Sequence, residues 1–249
     1  MASELVVIGA SWGGLFALGR LVAGLPGDFP LPVIIVQHRS RDSEALLEEL
    51  LQDLTPLPVR QVDDKEPILA GHVYVAPADY HLLVDGAHFS LTVDPPVRFS
   101  RPSIDVTFLS AADHCGPCAT GVVLTGANDD GAAGLRRIVD RGGRAFVQDP
   151  REAEARTMPA AAIAAVPEAK VLTLDDMPKA LVARAAELRT RDDVAHAPGA
   201  AASWTPLTRA TPGGGWLPVE ARRPDRPTPG ATPPAAPRAA DEPDAGERP

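Results

Sequence analysis

The sequence predicts an α/β fold, a doubly wound, mostly parallel sheet of Rossmann-like architecture with an antiparallel β-hairpin insertion. Three observations carry this. Apolar, β-branched runs at residues 5–8, 33–36 and 120–124 lack polar alternation, so both faces of each must be covered. Segments with apolar residues at helical spacing recur between the strand-like runs. Asp85-Gly86 separates the strand-like runs 80–84 and 87–93, a strong two-residue hairpin signal.

The elements follow in order. The run at 5–8 ends at Gly9 and reads as a buried parallel strand. Leu15, Leu18, Leu21 and Val22 continue at helical spacing, and Pro26-Gly27 closes that helix. Strand 33–36 and helix 43–54 repeat the unit. Short strands are predicted at 59–62 and 72–77, followed by the hairpin. Pro102, near a helix start, leads into helix 104–112. Strand 120–124, helix 131–141, strand 144–148, helix 159–166, strand 170–174 and helix 177–189 complete the alternation. There is no internal repeat.

Composition divides the chain of 249 residues in two. Of its 27 prolines, 12 lie from His196 onward, among Ala, Gly, Thr and Arg with little to bury. Such a stretch cannot offset the entropy of ordering. The expected organisation is therefore a folded domain over residues 1–190 and a disordered Pro/Ala-rich tail over 191–249. From His196 onward there are six arginines and six acidic residues, so the net charge of −9 belongs to the body. An acidic body without a Lys/Arg stripe argues against nucleic acid or an anionic membrane surface as partner. No apolar run approaches the roughly 20 residues that span a bilayer. The opening Met-Ala-Ser-Glu has no basic segment, so no signal peptide is expected and a cytoplasmic location is. Two cysteines make no disulfide framework.

In an open parallel sheet the ligand crevice lies beyond the carboxyl ends of the strands. Gly9-Ala10-Ser11-Trp12-Gly13-Gly14 follows the first strand, Gln37-His38 the second, and Thr125-Gly126-Ala127-Asn128-Asp129-Asp130-Gly131 the strand at 120–124. A serine, a histidine and an aspartate thus share one rim. A serine hydroxyl needs a base to attack a carbonyl, histidine is a base near neutrality, and a carboxylate fixes its tautomer. Residues 9–13 also fit G-x-S-x-G, a turn that exposes the hydroxyl. Taken singly, each residue has a plainer reading. Glycines after a first strand also cradle phosphates, a histidine at a strand end is often structural, and Asp129 and Asp130 both qualify as helix caps. The order Ser, His, Asp is not that of the α/β-hydrolases. The strict dinucleotide fingerprint is absent, and His38 and Arg39 stand where a ribose-binding carboxylate belongs, which ranks a nucleotide-binding domain low.

Cys115-Gly116-Pro117-Cys118 copies a redox sequence, but it follows a helix instead of opening one, so it reads as a turn. A zinc site would need two more ligands where only His114 is adjacent, so no metal is expected. His72, His81 and His88 read as surface or packing residues.

These segments resemble the catalytic domain of the chemotaxis protein-glutamate methylesterases of CheB type. The likeness rests on Ile8-Gly9-Ala10-Ser11-Trp12-Gly13-Gly14, Val36-Gln37-His38, Gly71-His72-Val73-Tyr74-Val75-Ala76-Pro77, Arg101-Pro102-Ser103-Ile104-Asp105 and Leu124-Thr125-Gly126-Ala127-Asn128-Asp129-Asp130-Gly131-Ala132. Gln148-Asp149 and Met158-Pro159 extend it, over about residues 5–185. The resemblance implies Ser11 as nucleophile, His38 as base and Asp130, rather than Asp129, as acid. It implies hydrolysis of glutamate methyl esters on chemoreceptors through an acyl-enzyme, with glutamine deamidation as a second activity and no cofactor. Methylated receptors would be the substrate, with the histidine kinase or methyltransferase of the same pathway as further partners. The N–H of Trp12 and one from Gly126, Ala127 or Asn128 are the candidate oxyanion donors. The chain departs from the family in having Trp12 where threonine is usual and Ala127-Asn128 in place of Met-Gly. Only four residues precede the first strand, so no receiver domain is expected before it. The rival function is a non-catalytic module binding receptor tails or a kinase, which would have no use for all three residues.

Overall fold

The computed structural model describes residues 4–39 and 46–195. Its centre is β1 (Leu5–Ala10), all six residues of which are buried. β1 pairs in parallel with β2 (Val33–Gln37), placing Ile8 beside Ile35. The later elements are β3 (Val59–Gln61), β4 (Val73–Val75), the hairpin β5 (His81–Asp85) and β6 (His88–Thr92), β7 (Ala119–Val123), β8 (Arg144–Gln148) and β9 (Lys170–Leu172). A seven-stranded sheet runs β3-β4-β2-β1-β7-β8-β9. All its neighbouring pairs are parallel, and β5–β6 is antiparallel and separate.

Period-two alternation sorts the sheet's side chains onto two faces. Val6, Ile8 and Ala10 point into one cluster with Leu18 and Leu21 of α1 (Gly14–Ala23), Leu51 of α2 (Leu46–Gln52), and Met177 and Leu181 of α6 (Met177–Ala195). Leu5 and Val7 point into the other. There they meet Phe108 of α3 (Ile104–Cys115), Leu135 of α4 (Ala132–Asp140) and Met158 of α5 (Thr157–Ala165). The hairpin adds Leu82, Val84 and Phe89 to this second face. Each buried Leu, Ile or Phe contributes about 1.5–3 kcal/mol of transfer free energy, which explains runs with no polar alternation.

The topology also places the crevice. α1 leaves β1 toward one face, and α4 leaves the adjacent β7 toward the other. The helices therefore diverge at the carboxyl ends of β1 and β7, and the cleft between them is the switch point of a doubly wound sheet.

The predicted elements are all present, with shifted ends. α2 is described from Leu46 and stops at Gln52, short of Pro56. Residues 43–45 of the predicted helix lie outside the described residues. α5 starts at Thr157 and takes Pro159 as its third residue, where a missing N–H leaves no intrahelical bond unmade. α6 continues past 189 to Ala195, so helix occupies the first residues assigned to the tail. The rest of that tail, from 196, lies outside the described residues. Among the described residues no helix is long and apolar enough to cross a membrane.

Candidate active site

Three strand ends build the site. The N–H of His38 donates to the Ala10 carbonyl (3.0 Å), and that of Ser11 donates to the Thr125 carbonyl (3.0 Å). The loops after β1, β2 and β7 are thus stitched together just beyond the sheet. Gln37 tightens the join, since its Nε2 donates to both the Ser11 and His38 carbonyls at 2.9 Å. Gly14 is required beside it, because a Cβ there would run into the Gln37 amide. Gly13 turns the chain into α1 at φ +78°, a conformation glycine adopts without strain.

Ser11, His38 and Asp130 meet at this junction. Nε2–H of His38 donates to Asp130 Oδ2 at 2.7 Å, and Nδ1 faces the Ser11 hydroxyl at 3.2 Å. Because a carboxylate only accepts, the bond to Asp130 fixes the proton on Nε2 and leaves the Nδ1 lone pair toward Ser11. The Asp130 side chain is wholly buried and that of His38 is 10% exposed, so the bond between them is shielded from water at its carboxylate end.

Asp130 is held by the start of α3. Its Oδ2 also accepts the Ile104 N–H at 2.7 Å, and Oδ1 accepts the Ser103 hydroxyl and the Asp105 N–H, each at 3.0 Å. Burial is the largest influence on its acidity and pushes it up. The bonds from His38, Asp105 and Ile104 together outweigh burial and hold the carboxyl below the usual aspartate range. Its neighbour Asp129 is exposed and pairs with Arg98, which also reaches Asp105.

A second serine and histidine lie close by, and they do different work. Ser103 is fully buried and spends its hydroxyl on Asp130. His81, 1% exposed, meets Ser103 only through the backbone, accepting its N–H at Nδ1 (3.2 Å) and donating from Nε2 to the Pro95 carbonyl (3.2 Å). No substrate carbonyl can reach Ser103, so this pair supports the carboxylate and is not a nucleophile and base. His81 is thus buried, with both ring nitrogens bonded to backbone.

The expected oxyanion donors separate. The Gly126 N–H is spent on the Ala155 carbonyl at 3.0 Å, which removes it as a donor. A Cβ there would also strike Met158. The N–H groups of Trp12, Ala127 and Asn128 pair with no protein acceptor among the described residues, and Trp12 and Ala127 lie exposed on the rim. Asn128 instead folds its Oδ1 back to accept the Asp130 N–H (3.2 Å). Thr125 braces both loops, donating its hydroxyl to the Trp12 carbonyl and accepting the Ala155 N–H, each at 2.8 Å. Gln148 Oε1 accepts the Thr125 N–H at 2.8 Å.

Sequence reasoning assigned no role to Gln37, Ser103, Asp105, Thr125 or Gln148. All five stand inside the quoted motif segments, which was the only signal available. The Cys115–Cys118 motif closes α3 and forms a single 3-10 turn. Burial, reinforced by Cys118, pushes the Cys115 thiol far up, opposite to a reactive helix-start cysteine. Among the described residues no three His, Cys, Asp or Glu side chains are grouped to hold a metal ion.

The family model described as CheB methylesterase matches residues 6–181. The chain belongs to the CheB methylesterase family. It is 43% identical over 176 residues to a putative protein-glutamate methylesterase/protein-glutamine glutaminase of Leptospira interrogans, covering 70% of this chain and 91% of that one. Similarity to protein-glutamate methylesterase/protein-glutamine glutaminase 2 of Anaeromyxobacter dehalogenans is 41% over 178 residues, covering 72% of this chain and 52% of that relative. The crystal structure of the Thermotoga maritima CheB methylesterase catalytic domain superposes with a TM-score of 0.71 at 30% identity, covering 74% of this chain and 99% of that one. This CheB-family sheet is the seven-stranded parallel sheet with an antiparallel hairpin described above.

Proposed function

We propose that this CheB-family chain is a serine hydrolase that removes methyl esters from glutamate side chains of chemoreceptor-type signalling proteins. The observation that carries the reading is the single line of contacts from Ser11 through His38 to Asp130. It has the polarity a general base needs, with the lone pair toward the hydroxyl and the proton toward the carboxylate.

The mechanism follows from those atoms. The Ser11 oxygen attacks the ester carbonyl carbon while its proton passes to His38 Nδ1. The imidazolium that forms is stabilised by Asp130, whose carboxylate is already ionised and fixed by α3. The N–H of Trp12, with that of Ala127 or Asn128, receives the charge on the carbonyl oxygen, a contribution of about 3 kcal/mol per donor in comparable sites. Collapse expels the methoxy group, which takes the proton from Nδ1 and leaves as methanol. Water then attacks the glutamyl-Ser11 ester through the same base and releases the carboxylate. A glutamine side chain would give the same acyl-enzyme with ammonia leaving, in keeping with the second activity in the relatives' names.

On this reading the substrate is a protein carrying methylated glutamates in the cytoplasm, with the histidine kinase or methyltransferase of the same pathway as further partners. The test is methanol release from methylated receptor membranes by the intact chain and by Ser11→Ala. Release that disappears in the variant supports the reading, and release that survives it removes Ser11 as nucleophile. A chain that releases none and leaves Ser11 unlabelled by a fluorophosphonate probe is not an esterase.

A further inference from the structure

His38 Nδ1 faces a second hydroxyl. Ser100 Oγ lies 3.4 Å from it, on the loop between the hairpin and α3, against 3.2 Å for Ser11 Oγ. Ser100 is fixed there by its backbone. Val97 and Ser100 exchange N–H to carbonyl bonds of 3.1 and 2.9 Å around a two-residue turn. Both central residues, Arg98 (φ 49°) and Phe99 (φ 64°), occupy the left-handed region without being glycine. Such a turn persists only where its surroundings over-determine it. Here Arg98 ties it to Asp105 and Asp129, the neighbours of the carboxylate machinery. Beside the His38 ring, Ser100 also lines an open pocket of about 390 Å³ together with Arg39, Asp79 and Phe99.

We propose that Ser100 is a positioning residue for the hydrolytic water of deacylation, an assignment that rests on the esterase reading above. Acylation and deacylation use one base atom. In the first step Nδ1 takes the proton of Ser11. Once Ser11 is esterified it has no proton to offer, and a water must occupy the place beside Nδ1. That water needs a lone pair aimed at the acyl carbon. One of its hydrogens points to Nδ1 and the other needs an acceptor. The Ser100 oxygen stands within hydrogen-bonding reach of a water bound to Nδ1, on the side open to the pocket. Attack then forms the bond from water oxygen to acyl carbon and moves the first hydrogen to Nδ1. Collapse breaks the bond to Ser11 Oγ, which recovers the proton from Nδ1, and the glutamate leaves as its acid. Ser100 gains and loses no proton in the cycle.

The two steps are separable, so the proposal has a distinctive signature. The intact chain, Ser100→Ala and Ser100→Thr are mixed with a receptor signalling domain carrying methyl-glutamates, and methanol and covalent enzyme–receptor adduct are followed by rapid quench. In Ser100→Ala the first-turnover methanol keeps its rate within about twofold. Steady-state release falls about tenfold or more, and the Ser11-linked adduct accumulates. Ser100→Thr restores the steady state because it keeps the acceptor. Equal loss in both phases would mean that Ser100 only orients the His38 ring, and it overturns the proposal, as does an unchanged steady state. An intact chain that yields neither methanol nor adduct overturns the esterase reading itself, a result distinct from either failure.

Discussion

Asp130 and Asp105 exchange helix caps. Asp130, in the loop that leads into α4, accepts the Ile104 and Asp105 N–H groups at the start of α3. Asp105, in the first turn of α3, accepts the Gly131 and Gly134 N–H groups at the start of α4, at 3.0 and 2.7 Å. Each carboxylate thus satisfies donors that the other's helix leaves over, and the exchange locks the α3 and α4 termini around the base's partner.

Asp105→Ala removes one half of this exchange and strands two buried N–H groups. The expected cost is about 2–4 kcal/mol in unfolding free energy by urea titration, with esterase activity lost in proportion to the displacement of Asp130. Asp105→Asn keeps an acceptor oxygen, so it should recover most of the stability. An Asp105→Ala variant as stable as the parent would show that the crossed caps do not hold the loop.

The exchange also marks how far the sequence could be read. Strands were legible because residues buried on both faces show no alternation of apolar and polar, as in 5–10, wholly apolar, and in 119–123, where Thr120 is the one polar side chain. Ser11, His38 and the 125–131 loop were legible because a doubly wound sheet brings the ends of its strands to one rim. Asp130 was open to reading as the cap of the helix that follows it, and spacing could not separate it from Asp129. Its backbone donors, Asp105 and Ile104, lie 25 and 26 residues earlier, a proximity that packing of α3 on α4 creates and local pattern does not carry. The spent Gly126 N–H belongs to the same class, since its acceptor, Ala155, is on a loop beyond β8.

Acid should loosen the site through Asp130. Its carboxyl is held below the ordinary aspartate value of 3.8 despite burial, so the stability it contributes is fully present above that value. It is lost as pH falls through the lowered folded value. Asp105, raised chiefly by burial and further by the Asp130 charge, acts with the opposite sign. Its contribution is present below 3.8 and diminishes as pH rises through its folded value. Unfolding free energy followed from pH 6 downward should therefore decline less steeply in Asp130→Asn than in the parent below about pH 4. Parallel acid limbs would remove Asp130 as a source of the decline. At neutral pH the same variant should lose about 10³–10⁴-fold in esterase rate, because an amide can donate to Nε2 and reverse the tautomer of His38.

Gln37 governs the spacing of nucleophile and base without touching substrate. Its amide bonds two carbonyls, one on each residue, in a gap that Gly14 leaves open. Gln37→Leu fills the same volume but offers no donor, leaving both carbonyls without that bond. The expected result is a stability loss of about 1–2 kcal/mol and a fall in kcat of about 10–100-fold, with KM little changed. A fall in KM-dependent binding alone would place Gln37 in the substrate groove instead.

Trp12 divides its function between backbone and side chain. Its N–H is the proposed oxyanion donor and survives any substitution but proline, whereas the residue as a whole is 67% exposed and its indole stands on the rim next in sequence to Ser11. An exposed aromatic next to a nucleophile presents apolar surface to whatever chain carries the ester. Trp12→Ala should therefore raise KM for a methylated receptor several-fold while kcat changes less than about threefold. Hydrolysis of a small activated ester, which makes no contact beyond the acyl group, should be nearly unaffected in the same variant. If instead kcat falls for both substrates, the indole is needed to hold the 11–14 turn and the oxyanion donor in place. The groove in this chain would then owe its selectivity to another surface.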